Sequence, residues 1–143
     1  MDWVQFDVVE VQDGAAYEST VYDRDIVVRM GSGAVLKLFD MTPMITQQIE
    51  PGERLEAVVQ VVADIHRGAY ATLVENLTLN RSEWTGFRDN LLRGMWQRVK
   101  TSDGHLLVRE SNLSATESRL GDGVSWDDAR YDLMAWRKLE FTS

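Results

Sequence analysis

The chain of 143 residues contains no cysteine, two prolines, two histidines and three lysines. The missing cysteine excludes disulfides and thiolate chemistry. Two histidines, His66 and His105, cannot supply the four nitrogen or sulfur ligands that structural zinc requires. Both prolines, Pro43 and Pro51, fall within residues 42–52, which leaves the remaining backbone free to donate to helices or ladders. No stretch approaches the ~18 uninterrupted apolar residues of a membrane span. The opening Met1-Asp2-Trp3-Val4 lacks the basic and apolar regions of a leader. A soluble, cytoplasmic chain without membrane contact is expected. No phosphate loop is present either: Gly31-Ser32-Gly33 is too short and precedes a strand pattern, and Ser114, Ser118 and Ser125 lack a nucleophile elbow.

What the chain has is acid, unevenly placed. The formal net charge is −8. Residues 1–25 carry Asp2, Asp7, Glu10, Asp13, Glu18, Asp23 and Asp25 against Arg24 alone, a local net of −6. Residues 81–100 reverse the sign, with five cations against Glu83 and Asp89. Asymmetry of this kind marks a binding face or, more commonly, a solvated charged surface.

Hydrophobic period gives strands first and helices later. Residues 3–11, 17–22 with 26–30, and 34–41 alternate in the manner of half-buried strands, with turns at Asp13-Gly14 and Gly31-Ser32-Gly33. Leu55, Ala57, Val59, Val61, Ala63 and Ile65 then share one face of a long strand, which folds over His66-Arg67-Gly68 into a second strand ending at Leu79. Spacings of three and four within 53–65 also fit a helix, but its β-branched valines favour a pleated surface. Beyond residue 80 the period lengthens. Ser82 caps a helix over 82–100 with Trp84, Phe87, Leu91 and Met95 on its apolar stripe; residues 105–110 read as a short strand after the Asp103-Gly104 turn; and Ser125-Trp126-Asp127-Asp128 has the form of a capping box opening a C-terminal helix. The expected class is α+β and mainly β: one domain over 1–143, with a small antiparallel barrel or curled sheet over 1–80, then a helix, a short hairpin and a C-terminal helix packed on it.

Candidate binding residues cluster on the 82–100 helix. Arg88 lies inside the apolar stripe one turn from Trp84, and Arg93, Trp96 and Arg98 add guanidinium and indole groups suited to a phosphate, a base or an acidic partner. The structural alternative is that each arginine runs its stem over the core and ends in solvent, and that the tryptophans are core. Asp23-Arg24-Asp25 and Asp127-Asp128 pair carboxylates, as acid–base catalysis or a hard cation would need, but a charged turn and a helix start, whose dipole favours acids, are the far commoner reasons for such pairs. No cofactor or metal is expected.

The run Asp25-Ile26-Val27-Val28-Arg29-Met30, the turn Gly31-Ser32-Gly33, the run Ala34-Val35-Leu36-Lys37-Leu38-Phe39-Asp40 and the entry Ile49-Glu50-Pro51-Gly52-Glu53 resemble the middle of an oligonucleotide/oligosaccharide-binding barrel. The resemblance covers the first eighty residues and implies a ligand across the second and third strands, where Arg29, Lys37 and Phe39 would meet it. Three functions follow. The first is a non-catalytic acidic interaction module for a protein partner with a basic surface, of the inhibitor, immunity or accessory-subunit kind. The second is a single-strand nucleic-acid binder, which the acid of residues 1–25 opposes. The third is an enzyme working through carboxylates. A homodimer through an exposed strand edge or aromatic face fits the same sequence.

Overall fold

A computed structural model of the chain describes residues 4–14, 16–18, 20–21, 23–40, 48–79, 94–109 and 119–139. These residues form eleven strands: β1 (Val4–Asp13), β2 (Ala16–Tyr17), β3 (Thr20–Val21), β4 (Arg24–Met30), β5 (Val35–Asp40), β6 (Arg54–Val62), β7 (Ile65–Leu79), β8 (Gly94–Thr101), β9 (Gly104–Arg109), β10 (Gly123–Trp126) and β11 (Arg130–Lys138). Nine of them make one sheet in the order β1-β4-β5-β11-β6-β9-β8-β7-β10, and a further pairing of β1 with β6 closes five into a barrel. Around that barrel the order is β1-β4-β5-β11-β6, antiparallel except where β5 and β11 run parallel through Tyr131↔Leu38 and Asp132↔Phe39. Among the described residues no helix is long and apolar enough to cross a membrane.

Alternation builds the barrel. Val4, Phe6 and Val8 of β1 are buried while Gln5 and Asp7 between them are exposed, and β4 turns Ile26, Val28 and Met30 inward. Register shifts at Val8/Glu10 and Leu133/Ala135 insert a residue into β1 and β11, the kind of bulge that bends strands around a closed sheet. In β6 every residue from Leu55 to Val61 is buried. Leu55, Ala57, Val59 and Val61 face the barrel core, and the opposite face of the strand is covered as well.

β2 and β3 form a small ribbon between β1 and β4, and the other four strands, β7 to β10, are an insertion between the fourth barrel strand, β6, and the fifth, β11. β7 to β10 extend the sheet from the C-terminal half of β6, where β9 joins it in parallel at Gln60↔Leu107, while the N-terminal half of β6 pairs with β1. β6 and β7 are consecutive and long, as their period indicates, but they are not a hairpin. The chain bends at Ala63-Asp64 and β7 pairs with β8 and β10 instead.

Both expected helices are corrected. Residues 94–100 of the expected 82–100 helix are in strand β8, in register with β7 from Leu79↔Gly94 to Thr72↔Lys100 and with β9 on its other side; residues 80–93 lie outside the described set. The helical signal came from the spacing of Trp84, Phe87, Leu91 and Met95, of which only Met95 falls among the described residues; β8 itself buries Trp96 and Val99, three apart and both 0% exposed, because it is covered on both faces. The expected C-terminal helix is β10, a bend and β11. Trp126 ends β10, Asp128 takes a left-handed φ of 49°, and Arg130–Lys138 pairs with β6. The bulge at Met134 explains the misleading period, since the extra residue puts Leu133 and Trp136, three apart, on the same core-facing side.

Candidate functional site

The structure scatters the basic-aromatic cluster expected on one helix. Trp96 is fully buried in β8 with the Arg109 guanidinium 4.5 Å from its ring centroid, so it is core with a cation on its face. Arg98 forms a cross-strand ion pair with Glu75. Trp84, Arg88 and Arg93 lie outside the described residues. The barrel residues do come together. Arg29 and Lys37 are exposed on the outer face of β4 and β5, and Phe39 lies half-buried two residues beyond Lys37 on the same face. Arg130 of β11 joins them: its guanidinium stands 5.7 Å from the Phe39 ring and is held by both oxygens of Asp132, at 2.7 and 3.0 Å. That bond raises the Arg130 pKa further above its ordinary value. Sequence reading missed Arg130 because it assigned the segment to a helix, and only the parallel pairing of β5 with β11 brings the two side by side.

At one end of the barrel the acid of the first 25 residues is concentrated by the burial of its lone cation. Arg24, at the start of β4, and Asp40, at the end of β5, are cross-strand neighbours, 4% and 1% exposed, and Arg24 Nε donates to Asp40 Oδ2 at 2.9 Å. The guanidinium also lies 5.8 Å from the Trp136 ring. β1 continues past this pair into a ribbon: Gly14 N–H donates to the Asp23 carbonyl, β2 pairs with β3, and Glu18 turns the chain at a φ of 49°. Glu10, Asp13 and Glu18 are exposed along it. Gln12 donates to Glu10, which leaves the carboxylate charge in place.

The opposite end of the barrel is clamped and lined with rings. The β8–β9 turn, whose Gly104 has a φ of 125° that a side chain would strain, presents Asp103 to the β4–β5 turn. Ser32 N–H and Oγ donate to its two carboxylate oxygens at 2.8 and 2.7 Å. Beside this clamp, Tyr70 meets Trp126 edge-on, with centroids 5.0 Å apart and planes at 81°. On the same pair of strands Gly68 of β7 leaves room for Ser125 of β10, since a Cβ there would stand 2.6 Å from Ser125 Oγ. Trp126 Nε1 donates to the Tyr131 hydroxyl at 3.0 Å. Burial pushes the Tyr131 pKa up, an effect the bond from Trp126 partly offsets. The three rings line a cavity of about 130 Å³ with Met30, Leu36, Leu106 and Asp103, and an open groove of about 500 Å³ continues from Tyr70 past Thr72, Lys100 and Gly123. Of this end the sequence pointed only to the Asp103-Gly104 turn, a surface loop where a partner could bind; Tyr70, Trp126 and Tyr131 come from β7, β10 and β11, and only the sheet brings them together.

A third depression gathers Asp64, His66, Asp127 and Asp128, including the paired carboxylates noted in the sequence. Among the described residues no group of three His, Cys, Asp or Glu side chains has an arrangement that could hold a metal ion. In comparisons with known proteins no family model matches the chain, and neither a curated protein nor a solved structure matches it.

Proposed function

We propose that this chain is a non-catalytic interaction module that binds a protein partner with a basic surface, of the inhibitor, immunity or accessory-subunit kind. The observation that carries the reading is the buried Arg24–Asp40 pair. It removes the only cation of the acidic stretch from the surface and leaves Glu10, Asp13 and Glu18 exposed on β1 and the ribbon that extends it. Acid arranged in this way attracts a basic partner over a Debye length of about 8 Å at physiological salt, and sets on-rate and partner choice more than raw affinity. The test is a pull-down of the tagged chain from its own host with and without nuclease. A stoichiometric protein that survives nuclease, elutes at high salt and is lost from the Glu10→Lys/Asp13→Lys/Glu18→Lys variant is the expected result.

A second reading, a single-strand nucleic-acid binder, is supported by the barrel. Its strand order, first-second-third-fifth-fourth and back to first with the third and fifth parallel, is that of the oligonucleotide/oligosaccharide-binding barrel the sequence resembles. Arg29, Lys37, Phe39 and Arg130 occupy the outer face expected to carry ligand in such barrels. Nucleic acid co-eluting without a protein, and lost on Phe39→Ala or Lys37→Ala, is the outcome that replaces the first reading with this one.

A further inference from the structure

We infer that the ring-lined cavity at the Ser32–Asp103 end of the barrel is a binding site for a methylated ammonium group carried on a longer molecule. Three features of the lining select that chemistry. Tyr70 and Trp126 stand nearly perpendicular, as two walls of a box, and Tyr131 contributes a third ring. Faces of this kind attract a cation through the ring quadrupole, most effectively when the site is shielded from water. The one charged side chain lining the cavity is the carboxylate of Asp103, and no cationic side chain lines it. The rest of the wall is apolar or hydroxylic, with Met30, Leu36 and Leu106 among its members.

The same lining discriminates against other ligands. A bare ammonium would surrender three hydrogen bonds to water for a wall made largely of rings and Met30, Leu36 and Leu106, in which Ser32 N–H and Oγ already use part of the Asp103 acceptor capacity, so its desolvation is less well compensated than that of a methylated one. Methyl groups remove that requirement and exchange it for dispersion contact with the rings. An anion would face Asp103 with no cation in the cavity. The rings are also held in place before any ligand arrives. Trp126 is fixed by its bond to Tyr131, the Asp103 wall by its two bonds to Ser32, and Tyr70 by its contact with Trp126. Tyr70 is 63% exposed and stands where the closed cavity opens into the larger groove. The cavity accommodates a single head group, and the groove receives what the head is attached to. Its Lys100 favours a carboxylate or carbonyl oxygen on that carrier. The cavity lies where Tyr70 and Trp126 of the insertion meet Met30, Leu36 and Tyr131 of the barrel, and its lining includes neither the exposed acids of the ribbon nor Arg29, Lys37 and Phe39 of the outer face, so it is independent of the function proposed above.

The test is titration of the full chain, followed by nuclear magnetic resonance of the Trp126 indole N–H, with choline, with its neutral isostere 3,3-dimethyl-1-butanol, and with a short trimethyl-lysine peptide beside its unmethylated form. The expected result is a saturable Trp126 shift with choline. The neutral alcohol should bind about tenfold more weakly, the size of a shielded cation–π contribution. Tyr70→Ala, at an exposed position that the fold tolerates, should weaken choline about tenfold, and Asp103→Asn should weaken choline while leaving the alcohol unchanged. A trimethyl-lysine peptide that binds tighter than choline, with its unmethylated form weaker, identifies a protein side chain as the source; equal or weaker binding than choline identifies a small molecule. The inference is overturned if Trp126 shows no saturable shift with choline, or if choline and the alcohol bind equally.

Discussion

The two ends of the barrel are finished with opposite chemistry. Where β4 begins and β5 ends, a buried ion pair fills the interior and the acids of β1 and its ribbon are left on the outside. Six residues along β4, roughly 20 Å away at the rise of a strand, the β4–β5 turn is pinned by a surface carboxylate, and aromatic rings surround a cavity. A cation withdrawn into the core makes the first end a long-range electrostatic surface that depends little on shape. Rings gathered around a cavity, with only Tyr70 exposed, make the second end a short-range site that depends on shape almost entirely. The comparison teaches that charge counted along the sequence is a poor guide to charge on a surface: Arg24 leaves the acidic stretch for a buried pair with Asp40, while Arg54, thirty residues away in sequence, comes to meet Asp7 on β1.

The sharpest way to break this contrast is to unpair the buried ions. Arg24→Met takes the guanidinium away from the buried Asp40 carboxylate and should cost about 3–5 kcal/mol in urea denaturation, as should Asp40→Leu, while the double variant recovers most of the loss. A single variant costing under about 1 kcal/mol would show that water reaches this end and that the pair does not close it. The corresponding change at the other end is smaller. Trp126→Phe removes the indole bond to Tyr131 and some volume from an 8%-exposed site, for about 1–2 kcal/mol. It carries a second signature: without that bond the Tyr131 phenol should titrate at still higher pH, which absorbance at alkaline pH reads directly. Below these comes Asp103→Ala, which frees Ser32 at the surface for about 1 kcal/mol or less and should speed amide exchange at Ser32, leaving exchange within the β4–β5 ladder unchanged.

How much of this was legible in the residues depends on what each feature rests on. Period-2 alternation in β1, β4 and β5 is local, and so is the Gly31-Ser32-Gly33 turn, which is why the first barrel strands could be read directly. β8 and β11 could not. One is covered on both faces, so Trp96 and Val99 break alternation, and the other carries a bulge that sets Leu133 and Trp136 at a helical spacing. The placement of Arg29, Lys37 and Phe39 on one face followed from alternation, but the arrival of Arg130 beside them depends on a parallel pairing across some ninety residues of sequence. The ring-lined cavity depends on such pairings throughout. Tyr70 is set by β7, Trp126 by β10, Tyr131 by β11 and Asp103 by the β8–β9 turn, and no single strand or turn contains more than one of them.

The smallest effect separates the two ends by pH. Near the acidic end, where β6 begins and β11 finishes, Lys138 donates to Glu53 at 2.9 Å and holds its carboxyl below the usual glutamate range. A lowered folded value means that the contribution is fully present above the ordinary glutamate pKa of about 4.3 and is lost as pH falls through the folded value. Both groups are partly exposed, so the loss should amount to a few tenths of a kcal/mol and fade with added salt. Tyr131 at the ring-lined end has the opposite sign. Its raised value leaves stability intact below the ordinary tyrosine pKa of about 10 and removes it as pH rises through the folded value. Glu53→Gln should therefore flatten only the acid limb of a stability profile, and Tyr131→Phe only the alkaline limb. If either substitution altered both limbs, the two ends would be energetically coupled through the barrel, and ligand at the cavity would be felt at the acidic ribbon.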